Sequence, residues 1–262
     1  VKQINIAKKM KDKITSADLF EEALYESCDG VSYKYAAYNP VQASDTLVVW
    51  LHGLGEGGTI NTDPYITVLA NKVSSLAGQE FQNTIGGANI LVPQCPTFWM
   101  DKTGDSLATK FTEADGTSYY CDSLHELINF YRKETKSEKV IITGCSNGGY
   151  MTMLMALKYG KEYNAYVPIC EAFLNEKISD EEIKQLKKLP IFFIYSRDDD
   201  VVAPETFILL FQSMLLILLG VLMIKMESHY DIVVIGHGFT SLIMRQYLIV
   251  VELEFGNGWH NS

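Results

Sequence analysis

A serine enclosed by glycines is the pattern in this chain with the clearest chemical meaning. The run GCSNGG covers residues 144–149 and follows the β-branched run KVIIT. It matches the pattern G-x-S-x-G, in which a sharp turn from a strand into a helix requires small residues such as Gly144 and Gly148. The turn exposes the hydroxyl of Ser146, and the N–H groups that begin the next helix face the same point. We therefore expect Ser146 to act as a nucleophile; a glycine-rich turn with a helix-capping serine is the alternative.

A second glycine-rich stretch could stabilise the negative charge that such an attack creates. The run WLHGLGEGG (residues 50–58) leaves an apolar strand through a His-Gly pair and enters a glycine-rich loop. A loop of this type donates a backbone N–H to an oxyanion, and the residue after the nucleophile donates another. We expect the two donors to be the N–H groups of Leu54 and Asn147. We expect His52 to hold the loop by hydrogen bonds rather than to carry protons.

Three consecutive aspartates supply the carboxylate that would orient a catalytic histidine. They follow the apolar run PIFFIYS in the stretch PIFFIYSRDDDVVAPE (residues 190–205). A carboxylate at a strand end is the third member of a Ser-His-Asp arrangement. Asp199 is our choice because of its position before VVAP. Asp198 and Asp200 could instead cap the turn that follows.

Bulky residues after another strand are candidates for the substrate pocket. Phe98, Trp99 and Met100 follow PQCPT, and Phe98 and Trp99 are the residues we expect to line an acyl or alcohol pocket. Ordinary packing is an equal alternative for them. Cys145 lies beside the nucleophile, and we expect a small buried packing residue there rather than a reactive thiol.

These residues need a scaffold that brings several strand ends to one edge, and the pattern along the chain predicts one. Short β-branched runs alternate with longer amphipathic stretches, which is typical of parallel strands joined by crossover helices. The predicted strands are TLVVWLHG, NILVPQC, KVIITGC, AYVPIC and PIFFIYS, and the predicted helices cover residues 63–78, 118–134, 148–163 and 179–189. Earlier, LFEEALYES and VSYKYAAYNP are parted by CDG and predict an antiparallel hairpin. We expect one α/β domain over residues 1–262, with a mostly parallel, doubly wound sheet and an N-terminal antiparallel hairpin.

The motifs together resemble those of the serine esterases of the α/β-hydrolase fold. LHGLGEGG, VPQCPTFWMD, GCSNGG and YSRDDDVVAP occur in the expected order, over roughly residues 20–206. The resemblance is strongest to bacterial esterases related to polyhydroxybutyrate depolymerase, prolyl-oligopeptidase-type hydrolases and acyl-protein thioesterases. It implies that Ser146 attacks an ester carbonyl, that an acyl-enzyme forms, and that water then releases the acid. It also implies the catalytic order Ser, Asp, His.

The catalytic histidine must then follow Asp199, where His229, His237 and His260 remain. The run YDIVVI (residues 230–235) predicts a last strand, and the turn IGHG after it would carry His237. His260 lies near the end of the chain, where a precisely held base is less favoured. His237 is therefore our candidate for the general base.

The tail that carries these histidines has an unusual composition. Residues 207–224 (FILLFQSMLLILLGVLMI) contain no charged residue; only six charged residues and none of the chain's seven prolines follow position 206. Taken as written, the run predicts a helix. A bilayer span would need about 18 such residues but would separate the last strand from the site, so no membrane span is expected. A buried core helix would lack the amphipathic stripe of the earlier helices.

A shifted reading frame is our preferred interpretation of this tail. Back-translation with degenerate codons, read two nucleotides later from within the codon for Ser213, permits a polar sequence that contains GHWSW. That motif looks like the histidine-bearing segment of the esterase family. The family's histidine would then be encoded across the codons of Val234 and Ile235. We therefore treat residues 207–262 as an atypical, frameshifted C-terminus of the same domain, with His237 as the replacement base if the written chain is the one made.

The composition of the chain argues against several classes of binding partner. A formal net charge of −10 argues against binding to nucleic acid. The five cysteines are widely spaced without a CxxC pair, so neither a metal site nor a disulfide framework is indicated, and no cofactor is expected. The chain begins at Val1 without an apolar signal core, which would fit a processed mature protein, a trimmed chain or an incomplete gene; we expect secretion rather than a cytoplasmic location.

The predicted activity is hydrolysis of small or medium acyl esters, with esters on plant polysaccharides as one candidate class. The predicted partner is thus a small-molecule ester. Two alternatives stay open. One is a prolyl-oligopeptidase-type serine peptidase, for which the chain has no residues left to form a gating domain. The other is a catalytically dead hydrolase-fold protein that lacks its histidine.

Overall fold

The computed structural model describes residues 15–60, 63–105, 116–174, 177–196 and 199–202, together with the backbone of residues 222–225 and 230–235. Within these ranges the chain forms a nine-stranded sheet in the order β1-β2-β4-β3-β5-β6-β7-β9-β8. The strands are β1 (Glu21–Glu26), β2 (Ser32–Tyr38), β3 (Thr46–Leu51), β4 (Asn89–Gln94), β5 (Lys139–Cys145), β6 (Ala165–Ile169), β7 (Ile191–Ser196), β8 (Leu222–Lys225) and β9 (Tyr230–Ile235).

Five parallel strands, β4-β3-β5-β6-β7, form the centre of this sheet. Strands β3, β4 and β6 are buried along their whole length, which is what continuous apolar runs such as TLVVWL require. Separate clusters of buried apolar side chains lie on the two faces of the sheet. The prediction of a mostly parallel, doubly wound sheet is confirmed.

The N-terminal hairpin is also as predicted. Strands β1 and β2 pair antiparallel, with Glu21 opposite Ala37 and Glu26 opposite Ser32. Strand β2 then pairs antiparallel with β4, which joins the hairpin to the parallel strands. Most side chains of β1 are exposed, as expected for a strand at the sheet edge.

The helices are α1 (Ile66–Leu69), α2 (Gln79–Ile85), α3 (Cys121–Thr135), α4 (Asn147–Tyr159) and α5 (Asp180–Leu186). Short 3₁₀ segments are Thr15–Leu19, Leu54–Glu56, Ala70–Ala77 and Gly160–Glu162. The single helix predicted over residues 63–78 is wrong, because Asn71 and Lys72 have φ angles of 52° and 53° and break it after one turn. Apolar spacing alone does not reveal such a break. None of the helices in the described ranges has the length and apolar character needed to cross a bilayer.

Two strands from the apolar tail complete the sheet. Strand β9 coincides with the predicted last strand YDIVVI, but it pairs antiparallel with β7, with Tyr230 opposite Ser196 and Ile235 opposite Ile191. Strand β8 pairs antiparallel with β9. The helix predicted over residues 207–224 is wrong for its last residues, since 222–224 belong to β8; residues 207–221 lie outside the described residues.

Candidate active site

Ser146 occupies the strand-to-helix turn between β5 and α4. Its φ and ψ angles are 55° and −113°, a conformation that non-glycine residues rarely adopt. Its N–H donates to the carbonyl of Ile169 on β6 (2.9 Å), and its carbonyl accepts from the N–H of Tyr150 (2.9 Å). The side chain is half-buried. The turn is therefore tied to the neighbouring strand and to the helix it begins, and it holds Ser146 in a strained conformation.

The two glycines of the motif are required by close packing of backbone on backbone. A Cβ atom on Gly148 would lie 1.9 Å from the carbonyl oxygen of Leu51 and 2.7 Å from that of His52. A Cβ atom on Gly144 would lie 2.6 Å from the same Leu51 oxygen. The end of β3 thus packs directly against the turn that carries Ser146. This contact brings the start of the glycine-rich loop after β3 next to Ser146, the predicted nucleophile.

The loop after β3 is held by His52, which is completely buried. Its Nδ1 lies 2.7 Å from the carbonyl of Gly53, and its Nε2 lies 2.9 Å from the N–H of Cys95. The Cys95 N–H can only donate, so Nε2 is the acceptor and Nδ1 carries the proton. Burial lowers the pKa of His52 to about 4, which keeps the ring neutral. These contacts match the structural role expected for His52.

The expected oxyanion donors lie on the two segments that meet here. Leu54 begins the 3₁₀ segment Leu54–Glu56, and Asn147 is the first residue of α4. The first N–H groups of a helix have no partner within the helix. Throughout the described ranges, the N–H groups of Leu54 and Asn147 donate no hydrogen bond to the protein. Both remain predicted donors.

Trp99 connects the loop to the nucleophile turn, a role that the sequence did not indicate. Its backbone N–H donates to Oδ1 of Asn147 (2.8 Å), and its indole N–H donates to the carbonyl of His52 (3.1 Å). Trp99 is fully buried, whereas Phe98 is half-buried. Lining of the substrate pocket by Phe98 and Trp99 stays a prediction. The described contacts of Trp99 link the two segments that carry the predicted oxyanion donors.

Asp199 lies beyond the carboxyl end of β7, at the same sheet edge as Ser146. One carboxylate oxygen accepts the N–H groups of Val201 (3.0 Å) and Val202 (2.9 Å). Asp199 is half-buried and Asp200 is exposed; Asp198 lies outside the described residues. Burial, with a smaller contribution from the Asp199 carboxylate, raises the pKa of the neighbouring Cys170 to about 12. A fixed, partly buried carboxylate is what the orienting role needs, so Asp199 remains the candidate.

The structure leaves the general base open. His229, His237 and His260 lie outside the described residues. Because β9 is antiparallel to β7, Tyr230 lies at the edge near Asp199 and Ile235 lies at the opposite edge. Strand β9 therefore runs away from the edge that carries Ser146, whereas the predicted topology had it arrive there.

Two buried carboxyl groups at this edge were not singled out from the sequence. Glu56 lies in the loop after β3, and Glu171 follows β6. Each has one buried carboxyl oxygen that has no hydrogen-bond partner among the described residues. Burial raises the pKa of each to about 8. The other oxygen of Glu171 accepts the N–H of Phe173 (2.6 Å). An acidic residue enclosed by glycine or apolar neighbours, as in GLGEGG and PICEAF, was the available sign.

Comparison with known proteins identifies the family. A family model described as phospholipase/carboxylesterase matches residues 35–230. A probable carboxylesterase, SOBER1-like, from Arabidopsis thaliana is 28% identical over 199 residues, which cover 67% of this chain and 68% of that protein.

Solved structures of esterases share the fold. A thermostable esterase is 25% identical with a TM-score of 0.64, over 76% of this chain and 52% of that one, so this chain spans about half of that protein. An esterase from Pyrococcus furiosus shares the fold at 16% identity and a TM-score of 0.54, over 76% of this chain and 80% of that one. With the family model matching most of its length, this chain belongs to the phospholipase/carboxylesterase family of α/β-hydrolase enzymes.

Proposed function

We propose that this protein is a serine carboxylic ester hydrolase that works through an acyl-enzyme on Ser146. The observation that carries the proposal is the strained conformation of Ser146, at a turn packed against a loop whose Leu54 N–H has no hydrogen-bond acceptor among the described residues. Strain of this kind concentrates at functional sites because the surrounding structure must enforce it. A turn that served only to cap a helix would not need it.

The proposed reaction is the Ser-His-Asp scheme. The Ser146 hydroxyl oxygen forms a bond to the ester carbonyl carbon while its proton passes to the histidine. The carbonyl oxygen becomes an oxyanion, which the N–H groups of Leu54 and Asn147 stabilise. The tetrahedral intermediate collapses, the alcohol leaves with the proton from the histidine, and water repeats the sequence to release the acid. Asp199 holds the histidine in the required orientation.

We propose His237 as the base of the written chain, with His260 as the alternative. Because β9 runs from the edge near Asp199 to the opposite edge, where Ile235 lies, this assignment requires the chain after Ile235 to return to the edge that carries Ser146. We also keep the proposal that residues 207–262 are a frameshifted reading of the family's C-terminus. The two proposals predict different molecules: one has a histidine of the written tail at the site, the other has the histidine of a GHWSW segment.

The substrate class rests on the family. We propose small or medium acyl esters, and esters carried by plant polysaccharides are one group to test. A catalytically dead hydrolase-fold protein that lacks its histidine is the competing proposal.

The test is labelling with a fluorophosphonate serine probe, read by intact mass, together with hydrolysis of p-nitrophenyl acetate. We expect one label per chain, lost in Ser146→Ala and kept in the neighbouring control Cys145→Ala. A mass matching the 29.5 kDa chain would support the written tail, and a different C-terminal mass would support the frameshift. Hydrolysis that survives Ser146→Ala would refute the nucleophile; a chain of the written mass that takes no label would support the dead protein.

A further inference from the structure

Glu56 connects the loop that carries the proposed oxyanion donor Leu54 (residues 53–58, here called the oxyanion loop) to two other parts of the structure. Its Oε1 accepts the N–H of Gly53 (3.2 Å) and a side-chain N–H of Asn71 (3.1 Å) in the 3₁₀ segment Ala70–Ala77. Its backbone N–H donates to the carbonyl of Gly53 (3.3 Å), and its own carbonyl accepts from the side chain of Gln94 (3.0 Å), the last residue of β4. A single residue thus closes the turn in which Leu54 lies and anchors that turn to its surroundings.

Further contacts restrict the conformation of this loop. A Cβ atom on Gly53 would lie 3.3 Å from Oε1 of Glu56, and one on Gly57 would lie 1.8 Å from the carbonyl oxygen of Thr97. The Gly58 N–H donates to the carbonyl of Cys95 (2.8 Å). Backbone packing at Gly57 and Gly58 therefore holds the part of the loop that follows Leu54. The Glu56 carboxyl group holds Gly53, the residue before Leu54.

No charged group faces that carboxyl group in the part of the chain that the structure describes. His52 on the loop is neutral, and burial raises the pKa of Cys95, which follows β4, so that its thiol is neutral too. Asn71 and Gln94 contribute amides, and Lys72 beside Asn71 is exposed. Oε2 of Glu56 is buried and has no hydrogen-bond partner in that same part of the chain. An ionised Glu56 would thus be a buried, uncompensated negative charge.

From these contacts we propose that Glu56 is a positioning residue, whose protonated carboxyl group fixes the Gly53 amide and thereby the direction of the Leu54 N–H. The inference rests on the proposed function, since it concerns the oxyanion site of that reaction. Burial raises the pKa of Glu56 to about 8. Above that pH the carboxyl group becomes negative close to the place where the oxyanion must form, and like charges repel strongly in a poorly solvated site. Catalysis should therefore fall as pH rises through about 8.

The test compares Glu56→Ala and Glu56→Gln with the wild type, from pH 6 to 10, with p-nitrophenyl acetate after subtraction of spontaneous hydrolysis. Glu56→Ala should lower kcat about 10²-fold, the usual effect of misplacing a catalytic donor by 1 Å, with little change in KM. Glu56→Gln keeps an acceptor for Gly53 and Asn71 but cannot ionise. It should recover kcat to within about tenfold of the wild type and remove the alkaline decline.

Glu171→Gln is the matched control, because Glu171 is equally buried and has a pKa raised to about 8 for the same reason. The decline near pH 8 should persist in this variant. A decline that disappears in Glu171→Gln but persists in Glu56→Gln would overturn the proposal, as would a wild-type kcat in Glu56→Ala. If Glu56→Ala does not fold, the pH profile of Glu56→Gln decides alone. Ser146→Ala separates the two ideas: activity that survives it refutes the proposed function, whereas activity that needs Ser146 but ignores Glu56 refutes only this inference.

Discussion

Replacement of Gly148 by alanine tests the packing that places the nucleophile beside the oxyanion loop. The added Cβ would lie 1.9 Å from the carbonyl oxygen of Leu51 and 2.4 Å from its carbonyl carbon, whereas real Cβ atoms essentially never approach within 3.0 Å. The three nearest atoms all belong to backbone, so rotation of a side chain cannot relieve the contact. Helix α4 and β3 must therefore separate by at least about 1 Å, starting at the turn that carries Ser146.

This displacement should affect both catalysis and stability. A 1 Å misplacement of catalytic groups costs about 10²-fold in rate. Overpacking of a tightly packed interior costs about 1–3 kcal/mol, and the upper end applies here because backbone has to move. We expect kcat for p-nitrophenyl acetate to fall about 10²-fold, the fluorophosphonate labelling rate to fall in parallel, and the free energy of unfolding to drop by about 3 kcal/mol.

Gly55→Ala is the matched control. Gly55 lies in the oxyanion loop, but an added Cβ there meets no atom within 4 Å, and its φ angle is not in the left-handed region. The free energy of unfolding of this variant should stay within about 0.5 kcal/mol of the wild-type value, as is usual for surface substitutions. Wild-type kcat and stability in Gly148→Ala would refute the claim that this backbone contact positions Ser146.

Three further predictions concern the groups around the site. His52→Ala should lower the free energy of unfolding in urea by about 3 kcal/mol, because it leaves the Cys95 N–H buried without an acceptor and opens a cavity; an unchanged urea midpoint would contradict the structural role of His52. Asp199→Asn should lower kcat about 10⁴-fold while labelling of Ser146 becomes slow rather than absent, and an effect under tenfold would point to another carboxylate. Glu171 has a folded-state pKa of about 8 against a usual value of 4.5, so stability should fall as pH rises from about 4.5 to 8 by an amount on the order of 4 kcal/mol. The free energy of unfolding in urea should be measured at pH 5 and pH 9. Its fall between these pH values should be smaller in Glu171→Gln than in the wild type. An equal fall in both proteins would show that Glu171 does not titrate in this range.

The central strands and the nucleophile turn were predictable because local sequence determines them. Buried parallel strands need continuous apolar runs, and a strand-to-helix turn with a serine needs the glycines at residues 144 and 148. Both requirements are visible within a few residues. The hairpin of β1 and β2 was predictable for the same reason, since its two strands are separated by a short turn.

Features that depend on distant contacts were not predictable. The antiparallel direction of β9 is set by its partner β7, and the alternation of its side chains is the same in either direction. The bracing role of Trp99 requires knowing that it meets Asn147 and His52. The burial of Glu56 and Glu171 likewise results from packing of segments far apart in the chain, and the break at Asn71 interrupts a stretch whose apolar spacing is helical.

The backbone conformation of Ser146 has a consequence for the molecule as a whole. Glycine would adopt φ 55° and ψ −113° without a Cβ clash, whereas a residue with a side chain is destabilised there by about 1–3 kcal/mol. That amount is a sizeable part of the 5–15 kcal/mol by which domains resist unfolding. The most stable sequence for this fold would thus lack its nucleophile, so a search for stabilised variants that ignored activity would tend to select against the serine.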